Sequence, residues 1–179
     1  WRMRDPVTGE SVLRLLKELG NSCRGSGTVY VTGGGSAVLI GWRQTTIDVD
    51  LKFHPEPAGI FEKIPELKNE LNINIELAAP DDFVPALPGW KDRSQWIVTH
   101  NQVDFYHFDF YTQALSKLER DHAKDRSDVA EMIAADLVEP KKLLELYQQL
   151  TPEQLGRYPA IEPESVLASI LSLTQTDGD

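Results

Sequence analysis

Val29-Tyr-Val-Thr-Gly-Gly-Gly-Ser-Ala-Val-Leu-Ile-Gly-Trp-Arg-Gln-Thr-Thr-Ile-Asp-Val-Asp-Leu-Lys-Phe53 opens on a β-branched run, passes through three glycines and Ser36, and closes on an alternating run that carries Asp48 and Asp50. It reads as a buried strand, a glycine turn, a short helix and a second strand. Side chains two apart on a strand share a face, so Asp48 and Asp50 project together, away from Ile47, Val49 and Leu51. Neighbouring carboxylates disfavour each other's ionisation unless something positive sits between them. A hard, oxygen-seeking cation suits that position, and Mg²⁺ characteristically takes one or two carboxylates together with substrate phosphates. Gly33, Gly34 and Gly35 permit positive φ and let backbone N–H groups come close to a phosphate, with the start of the following helix adding a favourable dipole.

The 179 residues suffice for one good core, or one domain with a helical appendage. A hydrophobic fraction of 41% and a charged fraction of 26% are those of an ordinary soluble globular protein. The net charge of −10 argues against a broad face for duplex nucleic acid, since such binding is driven by Lys and Arg. A small, metal-complexed phosphate substrate is easier to reconcile with that charge. Cys23 is the only cysteine, which excludes a disulfide framework and a thiolate metal site and makes a reducing cytoplasm the default compartment. Apolar runs such as Ala37 to Ile40 fall far short of the roughly 20 residues that span a bilayer, and no apolar signal core opens the chain. Trp1 in place of an initiator Met suggests that something precedes this segment.

Outward from the central stretch, Val12, Leu15, Leu16 and Leu19 have the spacing of an amphipathic helix over residues 10–19, with Gly20 as its stop. The polar turn 21–27 leads into a strand over 28–32, and the short helix after the glycines runs through Gly41-Trp-Arg43. Ile60, Phe61, Ile64, Leu67 and Leu71 form a helical stripe that starts or bends near Ile64 because of Pro65. Residues 72–78 alternate cleanly, placing Ile73, Ile75 and Leu77 on one face and Asn72, Asn74 and Glu76 on the other. Residues 80–88 read as loop; 96–99 and 103–110 read as two strands turning at His100 and Asn101. Helices follow over 112–120, 125–135, 140–150 and 163–173, and Thr151-Pro-Glu-Gln154 has capping-box form. The order implies an α+β protein: a mixed twisted sheet with helices on one side and a helical C-terminal third. Trp42, Trp90 and Trp96 are expected as core or loop anchors, and the Val166, Ile170, Leu173 stripe packs internally or against a second copy.

Gly35-Ser36 followed by Asp48-Val-Asp50 resembles the signature of the DNA polymerase β-like nucleotidyltransferase superfamily, in which a third acid usually stands on the strand after the next helix, here Glu76. Leu115-Ser-Lys-Leu-Glu-Arg-Asp-His-Ala-Lys-Asp-Arg-Ser-Asp-Val129 resembles the Lys and Lys-Asp-x-x-Asp segment of bacterial abortive-infection type nucleotidyltransferases, several of which are toxins of toxin–antitoxin pairs. The chain departs from them in using Glu as third acid and in its shorter helical region. The resemblance covers residues 10–150. It implies a polymerase β-like fold with a catalytic core over 1–111 and a helical region over 112–179 packed on it. It also implies transfer of an NMP from an NTP such as ATP to a hydroxyl of RNA, a protein or a small molecule. Mg²⁺ or Mn²⁺ would be held by Asp48, Asp50 and Glu76. Gly34, Gly35 and Ser36 would hold the β- and γ-phosphates, with Arg43 as a secondary phosphate contact. Lys117 would neutralise the triphosphate, with Asp125 orienting it. A partner protein or antitoxin is implied, and no membrane.

Alternatives stay open. Asp109, in Phe-Asp-Phe on a late strand, rivals Glu76 as third acid, and His107 on the same face is either a metal ligand or a hydrogen-bonded, half-buried histidine. A Rossmann dinucleotide site competes weakly, because Val38 stands where its third glycine belongs. A catalytically inactive module that binds a nucleotide or a regulatory partner is the reading from another functional class.

Overall fold

The structure, a computed structural model, describes residues 4–175. The chain forms two compact units, one from the residues up to Ala79 with Gln95–Phe108, the other from Pro80–Ser94 with Asp109 onward.

The first unit is a five-stranded mixed sheet with helices on one face. Its strands are β1 (Gly27–Thr32), β2 (Asp48–Phe53), β3 (Asn74–Glu76), β4 (Gln95–His100) and β5 (Val103–His107), in the spatial order β3-β2-β1-β5-β4. β1 pairs antiparallel with β2 and parallel with β5, β2 pairs parallel with β3, and β4 pairs antiparallel with β5. The antiparallel β1–β2 step sets this sheet apart from the all-parallel Rossmann arrangement. The core lies between the sheet face bearing Val29, Val31, Val49, Leu51 and Phe105 and two helices, α1 (Gly9–Ser22) and α3 (Ile60–Glu70). α2 (Gly34–Ile40) packs beside α1 over β1 and β2. Burying these apolar side chains is the main force holding helices to sheet.

Several local expectations are corrected. Gly20 does not stop α1, which runs on to Ser22; a Cβ at Gly20 would stand 2.6 Å from the His100 Cβ, so this glycine lets the helix lie close against β4. α2 ends at Ile40, with Gly41 in the left-handed region at φ 112° as its C-cap. Pro65 sits inside α3 without shortening it to a start near Ile64. Pro65 lacks the N–H that would bond the Phe61 carbonyl, and Phe61 is itself an exposed residue of the helix. β3 is only three residues long: Ile73 and Ile75 are buried as expected, but Leu77 runs past the end of β2's pairing and is exposed. Trp96 is no core anchor, being 61% exposed.

The second unit holds a 3-10 turn at Pro80–Asp82 and the helices α4 (Trp90–Arg93), α5 (Phe110–Arg120), α6 (Ala123–Ala134), α7 (Pro140–Gln148), α8 (Pro152–Gly156) and α9 (Pro163–Gln175). The turn at Pro80 lies in the stretch expected as loop, and α4 lies between that stretch and the next expected strand, where no element was expected. The capping box is present, Thr151 Oγ1 accepting from the Gln154 amide and Gln154 Oε1 from the Thr151 amide. Val166 and Ile170 are buried on α9, which packs on α7 and α5. Among the described residues no helix is long and apolar enough to cross a membrane.

Candidate functional site

On β2 the period-2 alternation holds. Val49 and Leu51 are buried in the core, while Asp48 and Asp50 are half-buried on the opposite sheet face. Register then decides what stands beside them. Asp50 is the in-register partner of Thr32 on β1 and of Glu76 on β3, and Asp48 is the partner of Asn74. Residues paired in register share a face, so Asp48, Asp50, Asn74 and Glu76 form one polar patch on the sheet edge.

Asn74 was not singled out by the sequence reading, although its place in the alternation puts it level with Asp48. Its Nδ2 donates to Asp48 Oδ1 at 2.5 Å and to Glu76 Oε1 at 3.3 Å. An amide dipole thus offsets part of the repulsion between two carboxylates. Glu76 itself is exposed at the edge strand. Among the described residues no three His, Cys, Asp or Glu side chains converge as a ready metal cage.

The glycine turn closes on this patch. Gly33 has φ 62° and ψ −132°, a conformation L side chains rarely adopt, and a Cβ there would lie 3.0 Å from Asp50 Oδ2. Gly34 is held tighter still, its missing Cβ standing 1.9 Å from Thr46 Oγ1, and Thr46 in turn donates to the Asp48 carbonyl at 3.2 Å. The turn therefore rides directly on the strand that carries the acids. Gly34, Gly35 and Ser36 lie in the first turn of α2, where N–H groups have no partner within the helix. At seven residues α2 is a small dipole, so these amides matter more than the macrodipole.

Ser36 departs from expectation. It is fully buried, and its hydroxyl donates to the Val31 carbonyl at 3.0 Å and lies 2.9 Å from His107 Nδ1. The hydroxyl expected to hold phosphate is turned toward the sheet. Arg43 is half-buried in the loop before β2, its amide donating to the Ala37 carbonyl at 3.4 Å.

His107 is a buried, hydrogen-bonded histidine at the end of β5, and among the described residues no group of three His, Cys, Asp or Glu could hold a metal ion. It is 6% exposed, and burial pulls its pKa down to about 4. Asp109 lies beyond the end of β5, as the N-cap of α5 in the second unit. Arg93 Nε and Nη2 donate to its two oxygens at 3.0 and 2.7 Å, and the amides of Tyr111 and Thr112 and the Thr112 hydroxyl donate as well. Its oxygens are committed to the cap and the arginine, which removes it as the rival third acid.

In the second unit, Lys117 Nζ lies 2.9 Å from Asp128 Oδ2 but 3.9 Å from Asp125 Oδ1. The expected ion pair with Asp125 is present, and Asp128, which the sequence reading did not assign to Lys117, is the nearer, hydrogen-bonded partner. Asp125 is taken by Arg120, which donates through Nε at 2.9 Å and Nη2 at 2.5 Å, and it accepts the His122 amide at the start of α6. Burial pushes the Asp125 carboxyl up, but the Arg120 and His122 hydrogen bonds and the charges of Arg120 and Lys117 more than offset this and hold it below the usual range. The visible work of this cluster is to tie α5 to α6.

The family model described as a nucleotidyltransferase of unknown function (DUF6036) matches residues 11–157. No curated protein and no solved structure matches the chain.

Proposed function

The chain belongs to this nucleotidyltransferase family, and from that premise we propose that it transfers an NMP from an NTP to a hydroxyl acceptor in a Mg²⁺- or Mn²⁺-dependent reaction. The acceptor hydroxyl gives up its proton to Glu76 or to solvent as its oxygen forms a bond to the α-phosphorus, the bond from that phosphorus to the bridging oxygen breaks, and pyrophosphate leaves with the electron pair. The observation that carries this reading is the register of β2 and β3, which sets Glu76 beside Asp50 and Asp48 on one face, under a glycine turn that only glycine can form.

The donor set suits a hard divalent cation, since Asp48, Asp50, Glu76 and the Asn74 carbonyl are all oxygen ligands. Asp48 and Asp50 would hold it, with Glu76 swinging in from the exposed edge. Such a cation would supply charge neutralisation for the triphosphate. The amides of Gly34 and Gly35, in the first turn of α2, would hold the phosphates, and Arg43 would supply a further positive charge from the loop before β2. RNA, a protein hydroxyl or a small alcohol can all serve as acceptor chemically, and a toxin–antitoxin or defence pair, with a partner protein holding the activity in check, is the setting the Lys117 to Asp128 segment favours. Incubation with each labelled NTP, Mg²⁺ and cell extract will show which pool takes the label. Asp48→Asn and Asp50→Asn should each abolish transfer; full activity in both variants would sink the proposal.

A second reading, a catalytically inactive nucleotide-binding regulator, is favoured by the Asn74 amide lying between Asp48 and Glu76 where a catalytic site would gather carboxylates. It predicts NTP binding without label transfer to any pool.

A further inference from the structure

Two polar side chains sit in the apolar layer beneath the glycine turn, and the proposed chemistry uses neither hydroxyl nor imidazole directly. Ser36 is completely buried and His107 nearly so. Polar groups in such a place cost free energy unless they bond to each other or to backbone. Here they do both. The Ser36 hydroxyl has one proton, which it donates to the Val31 carbonyl at 3.0 Å. The contact of 2.9 Å between Ser36 Oγ and His107 Nδ1 is then made with the proton on Nδ1, which assigns the His107 tautomer. His107 is also the in-register partner of Val31 across the parallel β1–β5 pair. Imidazole, hydroxyl and carbonyl therefore close a small ring that joins β5, α2 and the end of β1.

This ring lies directly behind the turn. Gly33 follows β1 by one residue, its carbonyl accepts from the Ala37 amide at 3.1 Å, and Ser36 stands between them in sequence. Moving Ser36 would move Gly34 and Gly35 with it. Those glycines have little freedom to compensate, since Gly34 already abuts Thr46 and Gly35 abuts Val31.

We infer that His107 is a positioning residue for the phosphate end of the nucleotide: by donating to Ser36 it fixes the first turn of α2 at the height where the Gly33–Gly35 backbone meets the Asp50 carboxylate. The inference rests on the nucleotidyl-transfer reading for its ligand, and on the hydrogen-bonded ring alone for its mechanics. It assigns Ser36 the task of carrying this constraint rather than of touching phosphate through its hydroxyl.

The test separates the two. His107→Leu removes the donor, His107→Asn keeps an N–H donor near the Nδ1 position, and Ser36→Ala removes the receiving oxygen. NTP affinity is measured by titration, kcat and KM by transfer, and the mobility of the turn by amide exchange at Gly34, Gly35, Ser36 and Ala37 without nucleotide. Loss of one buried hydrogen bond should weaken NTP binding roughly three- to tenfold, seen in KM more than in kcat. Exchange at the four amides should quicken in His107→Leu and return toward the parent rate in His107→Asn. The double variant His107→Leu with Ser36→Ala should be no worse than Ser36→Ala alone, because both break one ring. Parent-like NTP binding and exchange in His107→Leu would overturn the inference while leaving the transfer reading standing. So would equal defects in His107→Asn and His107→Leu. A parent chain that binds no NTP would instead overturn the transfer reading, and the exchange measurements would still decide whether His107 anchors the turn.

Discussion

Lowering the pH should destabilise the first unit through a single buried imidazole, and the size of the effect follows from where His107 sits. In the folded chain its pKa is pulled down to about 4 by burial. Unfolded, an ordinary histidine titrates near 6.5. Between those values the unfolded chain binds the proton and the folded chain does not, so stability rises with pH across that window. The contribution is complete above about 6.5 and is lost progressively as pH falls toward 4. The neighbouring β1 and α2, Gly-Thr-Val-Tyr-Val-Thr and Gly-Gly-Ser-Ala-Val-Leu-Ile, bring no carboxylate to receive the charge. Between pH 7.5 and pH 5 the linkage amounts to about 2 kcal/mol, an order-of-magnitude figure. Urea unfolding of the parent and of His107→Asn at pH 7.5, 6 and 5 reads it directly. Carboxylates titrate in both chains and cancel in the difference. The parent should lose that increment relative to the variant as pH falls, and parallel pH profiles for the two chains would refute the reasoning.

Other outcomes follow from named contacts. Gly33→Ala should cost about 1–2 kcal/mol, because φ 62° is strained for alanine and the new methyl meets Asp50 Oδ2, a loss visible as a lower urea midpoint. Asn74→Asp should lower the melting temperature in chelator, by adding a carboxylate beside Asp48 and Glu76, and should recover it on addition of Mn²⁺; equal responses of variant and parent to Mn²⁺ would remove Asn74 from any cation site. Asp128→Asn should destabilise the second unit by about 2–3 kcal/mol in chemical unfolding, less than the loss of a sole partner, since Lys117 keeps Asp125 at 3.9 Å.

The features legible in the sequence are those that local chemistry determines. Alternation in Asp-Val-Asp-Leu-Lys-Phe fixes which side chains leave the core, three consecutive glycines announce a turn no other residue tolerates, and the Val12, Leu15, Leu16, Leu19 stripe can bury itself only as a helix. From these the α+β class and the acidic strand beneath a glycine turn follow, and Glu76 follows from its own strand's alternation. What depended on segments distant in the chain had to wait for the tertiary structure. Phe-Asp-Phe is as good a strand as a helix start until Arg93 arrives to pair with Asp109. Gly20 reads as a stop until His100 packs against it. Lys117 pairs with both Asp125 and Asp128, and it lies nearer Asp128 where Arg120 makes a bidentate claim on Asp125. The register of β2 on β3 brought Asn74 between two acids, and the pairing of β1 with β5 brought His107 under Ser36. Periodicity and turn chemistry are properties of a few consecutive residues, whereas register and the choice of partner for a buried polar group are settled only when strands and helices far apart in sequence compete for the same hydrogen bonds.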